Sequence, residues 1–503
     1  MKGYEHMNYR STRGSDKRIT AAEAIIWGLA DDGGLYVPEL FPLLTEEKIA
    51  ELAGKSYQER AAYIMNLFLD GFDSEELTQF SNLAYSEPGY DHPAIAPLYK
   101  LDNNTRFLEL WHGPTCAFKD MALQMLPRLL TSSLRKTGES REVCILVATS
   151  GDTGKAALEG FADVPGIKIM VFYPRDGVSD IQKLQMSTQI GNNVNVVAVE
   201  GNFDDAQTGV KSIFSDAKLR DELDRSGYFL SSANSINWGR LVPQIAYYVS
   251  AYCDLLAEEE IIPGNMINFC VPTGNFGNIL AAWYAKKIGL PINKLICASN
   301  RNDVLTQFIS TGTYDRNRTF FTTSSPSMDI LVSSNLERLL FELSGKDGEA
   351  TREYMSALSR LGRYEIPPAT KDEINSVFAG GWCCEDDTMT TIADVFYKNG
   401  YLIDTHTAVA YKVRSDYMSE TGDETLTVVV STASPFKFCD SVLKALGRQV
   451  IGTGVDLLDE LADISGCDIP ASLSSLRKKQ PRFTGSVAKD GMKSAVKGFL
   501  GVR

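Results

Sequence analysis

Residues 143–154 read VCILVATSGDTG. The apolar, β-branched stretch 143–148 (VCILVA) has the length and composition of a buried strand. The loop TSGDTG follows at once, and a helical pattern begins at Lys155. A strand that turns through glycine into a helix is the first half of a βαβ unit, and the motif recurs along the chain. A strand at 167–173 precedes a helix at 178–189, and a strand at 194–199 precedes a polar helix through Phe214. A strand at 228–230 leads through SSANSINWGR into a helix near 241–256. A strand at 266–271 leads through PTGNFGN into the helix 279–288, closed by Gly289 and Pro291. A late strand at 426–430 is followed by STASPFKF and a helix to Leu446. Such alternation predicts an α/β protein built on open parallel sheets, with chemistry at the strand carboxyl ends.

Two stretches interrupt the alternation. Residues 314–334 are polar and read as an insertion or long loop, and 351–387 have mixed helical character. The tail after Ile464 holds basic pairs and reads as a surface appendage.

The chain has 503 residues, 44% hydrophobic and 23% charged, which predicts more than one packed unit and excludes a largely disordered protein. Lys+Arg total 50 against 64 Asp+Glu, a net charge of −14, which argues against nucleic acid as a partner. A small anion is still compatible, because oriented backbone N–H groups bind phosphate whatever the global charge. Nine scattered cysteines without a C-x-x-C, and four histidines (His6, His92, His112, His406), point to reduced thiols and no metal centre. No apolar run approaches membrane-spanning length, the start lacks a signal-peptide core, and Glu5 and Asp16 argue against a presequence, so a cytoplasmic location is expected.

Four loops carry candidate chemistry. In HGPTCAFKD (112–120), Lys119 sits at the first turn of a helical pattern, where the macrodipole disfavours its charge. That suits an amine that must be neutral to attack a carbonyl; a solvated lysine with Asp120 as helix cap is the plainer alternative. TGNFGN (273–278) can converge N–H groups on an anion at a helix start, but is neither a P-loop nor a dinucleotide fingerprint. TSGDTG offers hydroxyls and N–H groups, and NSINWGR (234–240) an amide, hydroxyls and a guanidinium, to a second anion. Each alone reads equally as a capped loop.

Together HGPTCAFKD, SGDTG, TGNFGN, NSINWGR and STASPFK resemble the threonine synthase family, within the fold type II (tryptophan-synthase-β-like) pyridoxal-phosphate enzymes. YRSTRG…AIIWGLADDGGLYVPE is similar to the opening of the family's long form, and IDTHTAVA (403–410) to its DPHTA segment. The chain departs at Thr405, where proline is usual, and at Ser434 and Phe436 in a motif often written TAHPAKF.

The resemblance implies a fold and a division of labour. Residues 1–100 would form an N-terminal extension, 101–140 with 246–460 a large cofactor domain, 141–245 a small mobile domain, and 461–503 an appendage. Lys119 would link to pyridoxal 5′-phosphate, beside Phe118; Gly274, Asn275, Phe276, Gly277 and Asn278 would hold its phosphate. Asp152 would face its 3′-oxygen and Thr432 its pyridine nitrogen. The implied substrate is O-phospho-L-homoserine, its phosphate met by Thr149, Ser150, Thr153, Lys183, Asn234 and above all Arg240. The implied reaction is the last step of threonine biosynthesis, by γ-elimination of phosphate and β-addition of water, in a monomer or homodimer. A phospho-lyase acting on another γ-phosphorylated amino acid is the alternative. His112 and His406 are left between catalytic and structural roles.

Overall fold

The computed structural model describes residues 7–175 and 178–502; the remainder, His6 included, lie outside the described residues. Two sheets organise them. The larger has six strands in the order Phe378–Trp382, Ile292–Ser299, Ile267–Pro272, Thr427–Ser431, Thr105–Glu109, Leu98–Lys100. All neighbours pair in parallel except the edge strand Leu98–Lys100, which runs antiparallel. The smaller sheet has five strands, all parallel, in the order Ser486–Ala488, Val194–Glu200, Ile167–Pro174, Glu142–Ala148, Tyr228–Ser231. Helices cover both faces, so 143–147 and 169–172 are fully buried apolar runs rather than alternating ones.

The N-terminal part is a short antiparallel pair, Tyr9–Ser11 with Tyr36–Pro38, and helices that pack on the long helix Trp238–Ala257. That helix is buried along nearly its whole length. Trp238 touches Tyr9, Phe68 and Tyr284, joining the N-terminal part to the large unit through aromatic edges.

Three sequence expectations change. The tail is not an appendage: Ser486–Ala488 extends the small sheet, and the helix Met492–Leu500 buries Met492, Val496 and Leu500 against the helix Phe203–Ser215. The strand Ile292–Ser299 was absent from the sequence reading, although it lies inside the large sheet. Residues 314–334 are not a plain insertion, because their short 3₁₀ turn Pro326–Met328 enters the cavity described next.

Candidate active site

Loops leaving the carboxyl ends of strands in both sheets converge on one cleft, with a cavity volume of about 100 Å³. From the large sheet come Phe118, Lys119, residues 273–278 and Thr432; from the small sheet come Thr149, Ser150, Thr153, Asn234 and Arg240. Met328 and His406 complete its wall. The cleft therefore gathers the cofactor and substrate candidates named from sequence, with two qualifications. Asp152 stands just behind the lining, and Lys183 is exposed on the outer face of the helix Asp180–Ser187, away from the cleft. Its neighbour Gln182 is the residue that turns inward, donating to Asp152 at 2.7 Å.

Lys119 is held by its own loop. The Phe118 N–H donates to Thr432 O at 2.8 Å, and Ala117 bridges Ala433, so the lysine loop is zipped to the end of the strand Thr427–Ser431. Asp120 does not cap a helix; its carboxylate accepts from the Thr115 amide and hydroxyl, and burial raises it to about 6. The helix after Lys119 is a single turn, Asp120–Leu123, too short for the macrodipole invoked from sequence. The Lys119 amine is nevertheless depressed. Burial is the main cause; Lys437 and Arg240 add to it and Asp152 opposes it.

Asp152 begins the helix Asp152–Phe161, which starts earlier than its sequence pattern suggested because Gly151 takes φ 139°, a conformation closed to other residues. Its Oδ1 meets the Lys437 ammonium at 2.6 Å, and its Oδ2 lies 3.4 Å from the Lys119 Nζ. Burial, the largest single effect, pushes this carboxyl up, but Lys437, Lys119 and the Gln182 amide together hold it well below the usual range. It is therefore a carboxylate, and needs no proton to sit in this site. Lys437 was missed from sequence, although it stands in the quoted STASPFK motif; its surroundings of Phe436 and Phe438 disguise it as a core position.

Two groups can receive anions. The helix Gly277–Ile288 starts after Phe276, which sits at φ 61°, with no side chain capping its first amides. Asn278 there accepts from the hydroxyls of Tyr247 and Tyr248, which turns its Nδ2 the other way, buried and without a protein partner. The second group centres on Arg240, 2% exposed, whose Nη1 donates to Ala233 O at 2.5 Å while its Nε has no partner. Burial lowers it to about 10. Asn234 lines the same cleft, where only its Nδ2 can donate to an anion. Thr149 differs from the expectation: its oxygen accepts from the Gly151 and Gly154 amides and so shapes the loop.

Buried polar atoms left without partners are rare in folded proteins. Three of them, on Asn234, Arg240 and Asn278, belong to residues that line this cleft, beside an uncapped helix start and a buried primary amine with a lowered pKa. Those residues fit a cofactor that offers an aldehyde to Lys119 and a phosphate to the helix start.

Comparison with known proteins agrees. Residues 8–85 match the family model for the threonine synthase N terminus, 92–370 that for pyridoxal-phosphate dependent enzymes, and 407–496 that for the threonine synthase C-terminal region. The chain is 41% identical to threonine synthase of Pseudomonas aeruginosa, over 91% of this chain and 93% of that protein. The chain belongs to the threonine synthase family of pyridoxal-phosphate enzymes. The solved structure of pyridoxal-phosphate-bound threonine synthase from Brucella melitensis matches with a TM-score of 0.86 at 38% identity, over 98% of this chain and 99% of that one. Human threonine synthase-like 1 is 43% identical over 84% of this chain, but the chain spans only 58% of that protein's length. Threonine synthase relatives are lyases, and the cofactor of this family is pyridoxal phosphate. Among the described residues no helix is long and apolar enough to cross a membrane.

Proposed function

We propose that this chain converts O-phospho-L-homoserine and water into L-threonine and phosphate, the last step of threonine biosynthesis. The observation that carries the reading is the second anion group: a buried guanidinium with an unpaired Nε shares the cleft with an uncapped helix start. One phosphate belongs to the cofactor, so a second anion group calls for a substrate that brings its own.

Pyridoxal phosphate, when bound, supplies the sink for negative charge developing at substrate Cα and Cβ. The first amides of the helix Gly277–Ile288 and the Asn278 Nδ2 would hold its phosphate, with Thr432 and Asp152 as the side chains available to its ring. Lys119 would take the Cα proton, hand it on to the conjugated system of the bound cofactor, and, as a free amine again, take one proton from Cβ, which lets the Cγ–O bond to phosphate break. Arg240, Asn234, Ser150 and Thr153 stabilise the departing phosphate. Lys119 would return that proton to Cγ; as a water oxygen adds at Cβ, Lys119 takes the water proton and delivers it to Cα. A depressed amine suits these tasks, because Lys119 must alternate between base and acid near neutral pH. The small unit, 141–245 with the tail strand and helix, closes over the large one to exclude bulk water. We place the enzyme in the cytoplasm, as a monomer or homodimer.

The test is to load the purified chain with cofactor, supply O-phospho-L-homoserine, and measure threonine and phosphate together. Equal release of both supports the reading. Phosphate with a keto acid and ammonia would favour a phospho-lyase without water addition, and no phosphate release would overturn both.

A further inference from the structure

The turn that sequence alone read as an insertion carries a side chain onto the Lys119 amine. Ser327 Oγ lies 3.2 Å from Lys119 Nζ and 3.4 Å from Asp152 Oδ2. Asp152 is a carboxylate and can only accept, so the Ser327 hydroxyl hydrogen goes to it. The serine lone pairs then face Lys119, which gives a directed chain from Lys119 through Ser327 to Asp152.

Several contacts fix where this hydroxyl sits. The Ser327 backbone N–H donates to His406 Nε2 at 3.3 Å, and His406 Nδ1 lies 2.6 Å from Asp404 Oδ2. An amide N–H can only donate and a carboxylate can only accept, so the imidazole is the neutral Nδ1–H tautomer. Asp404 is itself saturated, accepting also from the amides of His406 and Thr407 and from the Thr407 hydroxyl. Thr405, standing where the family segment usually has proline, donates its hydroxyl to Ser324 O at 2.8 Å. On the other side the loop is tied by Asp329, which accepts from Thr323, Asn300 and Asn302. The Ser327 carbonyl also presses so closely on Gly274 that a Cβ there would lie 2.4 Å from its oxygen. That close approach locks the serine turn to the loop expected to hold the cofactor phosphate.

We infer that Ser327 is a further catalytic residue, whose hydroxyl holds the free Lys119 amine on line during its proton transfers, and that Asp404 and His406 form the dyad that positions it. A lysine has a long, flexible side chain, and a base that serves several carbon atoms must return to one place between transfers. Ser327 accepts one N–H of the amine and leaves the rest of its nitrogen for the substrate. The inference rests on Lys119 as the proton-transferring amine, and not on the identity of the substrate.

The experiment measures exchange of the Cα hydrogen with deuterated water by NMR, in the cofactor-loaded enzyme. The probe is whichever member of a panel of common amino acids exchanges fastest in the parent. A wrong substrate in the preceding section therefore shows as absent threonine synthesis while exchange still reports on Ser327. Ser327→Ala should slow exchange at least about tenfold, as for loss of a hydrogen bond to a charged group, with cofactor affinity held within about twofold. Ser327→Thr should restore most of the rate. The serine lone pairs favour the ammonium form of Lys119, so their loss should also move the acid limb of the exchange profile to lower pH, which a purely structural defect would not do. His406→Gln should slow exchange in the same direction. The double variant should lose no more than about twofold beyond Ser327→Ala alone, because the histidine acts through the serine. If Ser327→Ala binds cofactor poorly, Thr405→Val gives the second route, since it removes the hydroxyl that ties the serine turn at Ser324 O without touching the phosphate loop, and it should shift the same acid limb. Exchange within about threefold of the parent with an unmoved pH profile in Ser327→Ala, or fully additive losses in the double variant, would overturn the inference.

Discussion

Truncating Arg240 separates the two anion groups. Arg240→Ala removes a guanidinium that is 2% exposed and makes one bond, from Nη1 to Ala233 O at 2.5 Å, while its Nε goes unpaired. The folding cost is small for so buried a residue. One backbone carbonyl loses its partner, about 1 kcal/mol, and the protein is relieved of a desolvated charge without a counter-ion. The substrate sees more. A buried guanidinium paired with phosphate is worth about 2–4 kcal/mol of transition-state stabilisation, so kcat/KM should fall by roughly 30- to 1000-fold. The cofactor band and cofactor Kd should barely move, because the helix start at 277–280 and the Asn278 amide are untouched. The decisive assay is inhibition by inorganic phosphate, which should be competitive with substrate in the parent and much weaker in the variant. If Arg240→Ala released the cofactor yet kept its phosphate inhibition, the division of labour between the two loops would be wrong.

Three further outcomes follow from the same geometry. Borohydride reduction of the loaded enzyme and peptide mapping should place the pyridoxyl label on Lys119 alone; a label on Lys437 or any other lysine would move the site. Gly277→Val should raise the cofactor Kd measured by fluorescence, because even a Cβ there comes within 3.3 Å of Asn335 Nδ2 and 3.4 Å of Ser235; unchanged affinity would mean that the helix start is not the phosphate cradle. Burial pulls the His112 imidazole down from 6.5, but hydrogen bonds to Asp91 and Glu109 outweigh it and raise it to about 9. A raised folded pKa stabilises fully below the unfolded value and is lost as pH rises through the folded one. The parent should therefore lose roughly 1–3 kcal/mol between about pH 6.5 and 9, discounted because Asp91 is half exposed, and His112→Gln should flatten that part of a Tm–pH curve; a parallel slope in both would refute the pairing.

The loops at strand ends were legible because each depends on local signals only: a β-branched run, a glycine that permits the turn, and a helical period after it. TSGDTG, TGNFGN and NSINWGR each join a strand to a helix in the fold, as their local pattern predicts. What escaped needs information from elsewhere in the chain. The strand Ile292–Ser299 carries Asn293 and Lys294 in its first half, which broke the apolar pattern; in the fold Asn293 bonds Asn268, and Lys294 bonds the carbonyls of Asn375 and Ser376. Lys183 was named for its charge, but one residue along a helix turns the side chain by about 100°, and the phase faces the Gln182 amide inward. In the tail, Met492, Val496 and Leu500 form an i, i+4, i+8 stripe that was readable. The strand preceding it, Ser486–Ala488, is too short to announce itself and is recruited by the exposed edge of Val194–Glu200.

Charge shows most clearly why local geometry, not composition, decides the chemistry. The chain carries a net −14, yet its cleft gathers Lys119 and Arg240, with Lys437 behind them, around the carboxylate Asp152. The cations are not balanced one for one, and Arg240 has no carboxylate partner among the described residues. At about 10 Å of screening length the acidic exterior is largely invisible to a ligand inside the cleft, whereas each buried cation acts at nearly full strength. The positive excess serves two ends. It holds Asp152 ionised, since Lys437 meets it at 2.6 Å, and it adds to the depression that burial imposes on Lys119, since Lys437 and Arg240 both disfavour a further charge nearby. One arrangement thus prepares the site for anionic ligands and lowers the pKa of the reacting amine. Replacing Lys437 with methionine would undo both at once, leaving Asp152 buried beside an amine with less reason to give up its proton.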